Sequence, residues 1–263
     1  MEALTLLQEV SDTYRGLKNL AVEAAIVTES GDENSSQRSE HRVRFFYAAP
    51  DRIRYEPCGK EGMLQVADGQ QFHTIFGHQR FGQGPHVSSV PVAQMHRLPH
   101  LFWADFPFSG GGGEAFLFQG IDERVAAAQI LRDEDGCHVI SVAYEPPSRH
   151  PGLIVSGPAV LFWVNAESRM VMRQQGEQGH RFPAGDEVIW GRHSVSIRKM
   201  QVNQPLPEDT FRFTPPPGAA VDDAIVSRRH QTFRVRTHAA LGRTTTGNGT
   251  AVINRTSIRS KQH

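Results

Sequence analysis

The sequence lacks the features that mark membrane-spanning, secreted and metal-binding proteins. No apolar run approaches the roughly 18 residues that a spanning helix needs. Met1 does not open a signal peptide, because Glu2 and Thr5 interrupt the basic and apolar segments of a leader. The two cysteines, Cys58 and Cys137, lie far apart, without a CxxC motif or a histidine-rich partner. A disulfide between them and two buried free thiols are the alternatives.

The sequence also lacks net charge, since it has 28 basic and 28 acidic residues, which argues against nucleic acid or an anionic membrane as a partner. The charges are unevenly distributed along the chain. Residues 224–263 carry eight Arg or Lys and no acid, so residues 1–223 carry 20 basic and 28 acidic residues and a formal charge of −8. Because residues 219–263 lack apolar periodicity, we expect a disordered or weakly ordered, solvated end. We assign one domain to residues 1–220 and a basic tail to residues 221–263.

Signatures of catalysis are missing as well. His96 and His100 stand four apart, but Pro99 lies between them and no carboxylate occupies a zincin-type position, so we expect no metal site. The acidic residues 133–135 precede a glycine and are typical of a hairpin turn rather than of a general acid and base pair. The sequence has no Gly-x-Ser-x-Gly elbow and no activated cysteine. We therefore predict a protein that is not an enzyme and needs no cofactor.

What the sequence does contain begins with an amphipathic helix. Gly16 and Asn19 mark its end. Five apolar residues recur at steps of four and three and share one helix face: Ala3, Leu7, Val10, Tyr14 and Leu17.

After the helix the apolar period changes to two, which is the period of a β-strand. Residues 30–39 and 146–158 are expected to be connections, and residues 68–69 and 134–136 to be hairpin turns. The result is an antiparallel sheet of about eight to eleven strands with one solvent-exposed face. The strands are predicted at residues 20–26, 43–47, 52–56, 63–66, 71–76, 126–133, 137–144, 159–165, 170–175 and 187–201.

The middle of the chain does not follow this apolar period of two. Residues 91–105 have apolar residues at roughly helical spacing, interrupted by Pro99, and predict two short helices. The glycine run within residues 109–113 predicts a flexible hinge; it is not a phosphate-binding loop, because no Gly-Lys-Ser/Thr follows it.

The order of these segments resembles the LolA-like family of periplasmic lipoprotein carriers, which includes domains of RseB-like envelope-stress sensors. The final motif, Phe211-Arg-Phe-Thr-Pro-Pro-Pro-Gly218, is the most specific. The resemblance covers most of residues 1–220 and rests on motifs at residues 14–17, 45–55, 66–69, 161–168, 170–173 and 206–218. The family implies an antiparallel sheet bent into an incomplete, half-open barrel, with short helices over its open side and a hydrophobic cavity between them. It also implies a periplasmic location, although the missing leader leaves a cytoplasmic one open and the basic tail lies outside the family pattern.

A half-closed sheet has an apolar concave face that helices, a ligand or both must cover. Each buried methylene of an acyl chain contributes about 0.8 kcal/mol, so ten contribute about 8 kcal/mol before the ordering costs of binding. Micromolar affinity is therefore attainable without a catalytic residue. We expect ten residues to line the cavity: Phe45, Tyr47, Ile53, Tyr55, Phe72, Leu98, Phe102, Trp103, Phe106 and Phe162.

Three hypotheses for function follow. The first is a monomeric carrier or chaperone for lipids, lipidated proteins or other apolar ligands in the bacterial envelope. The second is a sensory or regulatory module of the same fold that binds an envelope protein partner. The third is an enzyme of unrecognised type.

Overall fold

The computed structural model describes residues 2–32, 35–59, 63–76, 86–92, 117–145, 154–156, 159–181, 188–217 and 219–221. Within these ranges the chain forms one helix, α1 (Ala3–Arg15), and one sheet of thirteen strands. The first six strands are β1 (Asn19–Asp32), β2 (Ser35–Ala48), β3 (Arg52–Pro57), β4 (Met63–Ala67), β5 (Gln71–Phe76) and β6 (His86–Pro91). The remaining strands are β7 (Val125–Glu134), β8 (Cys137–Tyr144), β9 (Ile154–Ser156), β10 (Val160–Asn165), β11 (Val171–Arg181), β12 (Val188–Val202) and β13 (Ala220–Val221).

The sheet is open rather than closed into a full barrel. Its strands lie in the order β13-β6-β5-β4-β3-β2-β1-β12-β11-β10-β8-β7, and β9 pairs with β11 outside this path. Among the described pairings only β13–β6 is parallel. The end strands β13 and β7 do not pair with each other within the described ranges. The predicted class, a mainly antiparallel sheet forming an incomplete barrel, is therefore confirmed, and β9 and β13 are short additions of three and two residues.

Two meanders, β1–β6 and β7–β12, make up the sheet. They are joined by the pairing of β1 with β12, which runs from Leu20 opposite Val202 to Gly31 opposite Trp190. A register shift interrupts it between Glu23 and Ala24, as a β-bulge would. The centre of the sheet is thus built from strands that lie far apart in sequence.

Helix α1 packs its apolar stripe against one face of the sheet, which we call the inner face. The side chains of Leu6, Leu7, Val10 and Tyr14 are almost fully buried, which confirms the predicted helix. The helix ends at Gly16, whose N–H donates to the carbonyl oxygen of Asp12 at 3.0 Å.

The predicted hairpin turns are confirmed. The Asp68 carboxylate accepts hydrogen bonds from the backbone N–H groups of Gln70 and Gln71, both at 2.8 Å, and Gly69 has a φ of 99°. Asp135 and Gly136 both have positive φ, which a two-residue turn of the mirror-image type requires. These turns fix the register of β4–β5 and of β7–β8.

Several predicted boundaries are wrong. Residues 30–39, predicted to be a connection, largely belong to two strands: β1 continues to Asp32, and β2 starts at Ser35. The side chains of residues 37–40 are exposed, so the apolar alternation ends before the strands do. Strand β9 lies inside the predicted loop at 146–158, β13 lies at the start of residues 219–263, which were expected to be disordered or weakly ordered, and β6 had no prediction. Backbone pairing with neighbouring strands forms these elements without an apolar pattern of their own.

Residues 206–217 of the motif belong to a segment between β12 and β13 that lies on the outer face of the first meander, opposite α1. At the start of this segment, the side-chain oxygen of Asn203 accepts hydrogen bonds from the backbone N–H groups of residues 18 and 19. The guanidinium of Arg52 lies 5.3 Å from the centre of the Phe211 ring, and His73 stacks on Phe213 with ring centroids 4.1 Å apart. The two phenylalanines of the motif thus attach this segment to β3 and β5.

The two predicted central helices and the predicted hinge fall mostly within residues 93–116, which lie outside the described residues, as do residues 222–263 of the tail. Val92, where the first of these helices was expected to begin, is buried in the core. In the part of the chain that the structure describes, no helix has both the length and the apolar character needed to cross a bilayer.

Candidate ligand-binding site

The inner face of the first meander carries two rows of apolar side chains. Residues that pair directly across antiparallel strands point to the same face and lie side by side. One row contains Leu20, Tyr47, Ile53, Ala67 and Phe72, which are successive partners from β1 to β5. The next row contains Val22, Phe45 and Tyr55, and it continues to two buried polar residues, Gln65 and Thr74.

Six of the ten predicted lining residues lie within the described chain. All six are buried, with exposed fractions of 8% or less, and belong to one hydrophobic cluster with α1: Phe45, Tyr47, Ile53, Tyr55, Phe72 and Phe162. The other four, Leu98, Phe102, Trp103 and Phe106, lie outside the described residues. The structure therefore brings the six together on the inner face, and their contact with a ligand stays a prediction.

A turn segment, residues 117–124, covers the second meander together with α1. The ring of Phe118 meets the rings of Tyr14 and Phe162 edge to face, with centroids 5.1 and 5.9 Å apart. Leu117 and Ile121 are also buried in the same cluster. Phe118 thus sits between the helix and strand β10.

Hydrogen bonds hold this cover in place. The hydroxyl of Ser11 donates to the carbonyl oxygen of Gln119, and the hydroxyl of Tyr144 donates to that of Ile121 at 2.9 Å. The backbone N–H of Val171 donates to the hydroxyl of Tyr14 at 3.2 Å. Burial raises the pKa of both tyrosines well above the ordinary value, so both remain protonated donors or acceptors.

An ion pair at the edge of the cover links the helix to the turn between β10 and β11. The guanidinium of Arg169 lies 2.7 Å from the carboxylate of Glu9. Both groups are partly exposed, at 23% and 40%, so the pair contributes at most about 1 kcal/mol. The cover is therefore held mainly by apolar packing.

Sequence analysis missed Leu117, Phe118 and Ile121, because they lie in a turn segment and follow neither the helical nor the strand period. The signal that was present is the apolar content of residues 116–121 directly after the glycine run. A polar, flexible hinge would not be expected to continue into so apolar a segment.

Sequence analysis also missed a polar group on the inner face. Gln174 lies directly between Phe162 on β10 and Val195 on β12, both of which are core residues. One row further along, His193 pairs with Gly176, and a Cβ placed on Gly176 would lie 2.6 Å from Cε1 of the imidazole. The ring therefore lies over the glycine, and burial lowers the pKa of His193.

The described residues include the acidic run and the two cysteines that sequence analysis weighed as catalytic groups. Within the described ranges, no three His, Cys, Asp or Glu side chains are grouped as metal ligands would be, and His96 and His100 lie outside them. The acidic run at 133–135 covers the last two residues of β7 and the first residue of the β7–β8 turn, and Asp133 contacts its cross-strand partner His138 at 2.6 Å. Both cysteines are free. Cys137 is buried, whereas Cys58 is exposed, so of the two alternatives the disulfide is wrong and the pair of buried free thiols holds for Cys137 alone.

No family model matches the chain, and no curated protein matches it in sequence. Among solved structures, the chain is similar to a LolA superfamily protein from Nitrosomonas europaea, with 13% identity over 81% of this chain and 98% of the other and a TM-score of 0.32. A domain from Vibrio parahaemolyticus, described as an outer membrane lipoprotein-sorting protein domain, has 10% identity, coverage of 80% and 96%, and a TM-score of 0.29. LprF from Mycobacterium bovis has 10% identity, coverage of 78% and 94%, and a TM-score of 0.35.

Proposed function

We propose that this protein is a non-enzymatic carrier that holds the acyl chain of a lipid or of a lipidated protein against the inner face of its sheet. The observation that carries this proposal is the apolar cluster that has members on the inner face of both meanders of an unclosed sheet. In a closed small barrel, side chains from all sides fill such an interior. Here a helix and a turn segment perform that task, and neither is part of the sheet.

A removable cover suits ligand exchange. Helix α1 and residues 117–124 bind the sheet through apolar side chains and a few hydrogen bonds. An acyl chain that enters between cover and sheet exchanges one set of apolar contacts for another, so the net cost of opening is small. Each additional methylene taken from water then contributes about 0.8 kcal/mol.

The envelope location and the monomeric state are parts of the same proposal and are supported by the resemblance of the sequence motifs to LolA-like carriers. A carrier that encloses an acyl chain needs no second subunit to shield it from water. A module that binds an envelope protein instead would use its surface and leave the interior packed.

The adjacent residues Phe45 and Phe46 provide a matched test. Phe45 is fully buried on the inner face, whereas Phe46 is partly exposed on the outer face of the same strand. Binding of dansylaminoundecanoic acid, a fluorescent fatty acid, is titrated to the wild type, Phe45→Trp and Phe46→Trp. Because the larger indole takes space from the chain, we expect Phe45→Trp to weaken binding about tenfold and Phe46→Trp to change it less than about twofold.

Equal effects of the two substitutions, with both variants folded by circular dichroism, would contradict the inner-face site. Native mass spectrometry of protein purified without detergent gives a second readout, in which the carrier is expected to retain lipid. A ligand-free chain that does not bind the fatty acid would overturn the carrier proposal.

A further inference from the structure

A polar side chain interrupts the apolar inner face at Gln174. Its exposed fraction is 7%, and its direct cross-strand neighbours are Phe162 and Val195. Its amide oxygen has no hydrogen-bond partner among the residues that the structure describes. A buried acceptor left without a donor costs more than a typical hydrogen bond contributes, so an amide oxygen that has no partner among the described residues needs an explanation.

The next row of the same face is also polar. It contains His193, whose imidazole lies over Gly176, and Thr28 of β1, which pairs with His193. The neutral imidazole has one nitrogen that donates and one that accepts. Along β12, the inner face thus changes from Val195, in the core, to His193, where the apolar cluster ends.

The geometry points to Gln174 and His193 as the polar end of the proposed binding face, where they bind the head of an acyl ligand that carries an N–H or O–H donor next to its chain. This inference rests on the proposed carrier function and specifies its ligand class. The chain lies on the apolar cluster, and the donor reaches the amide oxygen of Gln174. An amide-linked or hydroxylated acyl chain meets this description, whereas a simple ester does not, because an ester has only acceptors.

The side-chain direction supports this assignment over a purely structural role. A structural glutamine is expected to bond a neighbouring backbone or side-chain group, as Gln119 of the turn segment does by donating to the carbonyl oxygen of Tyr14 at 3.4 Å. The next residue, Gln175, also follows that rule, since it accepts a hydrogen bond from Arg173 at 3.3 Å on the outer face. Gln174 alone of these three glutamines has its amide oxygen both buried and unpartnered among the described residues.

The test compares two neutral ligands with the same ten-carbon chain, decanamide and methyl decanoate. Each displaces dansylaminoundecanoic acid from the wild type, Gln174→Leu and Gln175→Leu. We expect decanamide to displace the probe from the wild type at about five- to tenfold lower concentration than the ester, because it alone supplies a donor. We expect this preference to vanish in Gln174→Leu, because leucine offers no acceptor, and to persist in Gln175→Leu.

The outcomes separate this inference from the proposed function. Probe binding without a preference for decanamide, or a preference that survives in Gln174→Leu, would overturn the polar-end assignment and leave the carrier function standing. Failure of the wild type to bind the probe at all would overturn both. A preference lost equally in Gln174→Leu and Gln175→Leu would show that position 174 has no special role, and would also overturn the assignment.

Discussion

Replacing Gln174 by leucine is expected to stabilise the protein, although it removes polar atoms and adds none. Leucine has a volume close to that of glutamine, so it fills the space between Phe162 and Val195 without a cavity. The substitution removes a buried acceptor that has no partner within the described ranges, which costs about 1–3 kcal/mol, and replaces it by an apolar side chain. We expect the free energy of unfolding to rise by about 1–2 kcal/mol.

Urea unfolding followed by tryptophan fluorescence measures this change, provided that the slope with urea concentration stays the same in the variant. Gln175→Leu is the control, because this residue lies on the outer face and its oxygen is already bonded to Arg173. We expect no stabilisation there. A loss of more than about 1 kcal/mol in Gln174→Leu would refute the reasoning, since it would mean that the amide makes bonds on which folding depends.

A stabilising substitution at a natural position carries information about function. Proteins retain unfavourable buried groups chiefly where activity uses them. If Gln174→Leu is more stable and also loses its preference for decanamide, then Gln174 lowers the stability of the wild type and contributes to its choice of ligand.

Two further predictions concern the histidines. Burial is the main cause that lowers the pKa of both His193 and His73 below the unfolded value of about 6.5. Their neutral forms therefore stabilise the fold above that pH, and this contribution is lost as the pH falls through their folded-state pKa values. The urea midpoint should decrease as the pH is lowered through this range and should decrease less in His193→Gln; an equal pH dependence in the two proteins would contradict the prediction for His193. Gly176→Ala should cost about 1–3 kcal/mol, because its Cβ would lie 2.6 Å from the His193 ring; the same substitution in a His193→Ala background should be nearly neutral, and an equal cost there would show that the ring is not the obstacle.

The sequence was sufficient for the elements whose apolar side chains alternate or recur with a regular period. Helix α1, the hairpins at residues 68–69 and 134–136, and the inward direction of Phe45 and Ile53 all follow from periodicity and turn chemistry. The ends of β1 and β2 did not follow, because these strands extend beyond the core and their exposed residues have no apolar alternation.

The polar end of the candidate site was beyond sequence reasoning for a different reason. Gln174 was correctly predicted to lie in a strand, but its place between Phe162 and Val195 depends on the registers of β10–β11 and β11–β12. No local pattern indicates that Gly176 leaves room for the ring of His193. Cross-strand neighbours are set by pairing, and pairing becomes visible only in the assembled sheet.

The pairing of β1 with β12 has a consequence for biosynthesis. Leu20 leaves the ribosome long before its partner Val202. The edge of β1 that pairs with β12 therefore stays unpaired until residues 1–202 have been synthesised. Unpaired edges recruit other strands, and contacts between distant residues form slowly. A nascent chain of this topology therefore depends on protection from aggregation until its last long strand arrives and joins the two halves.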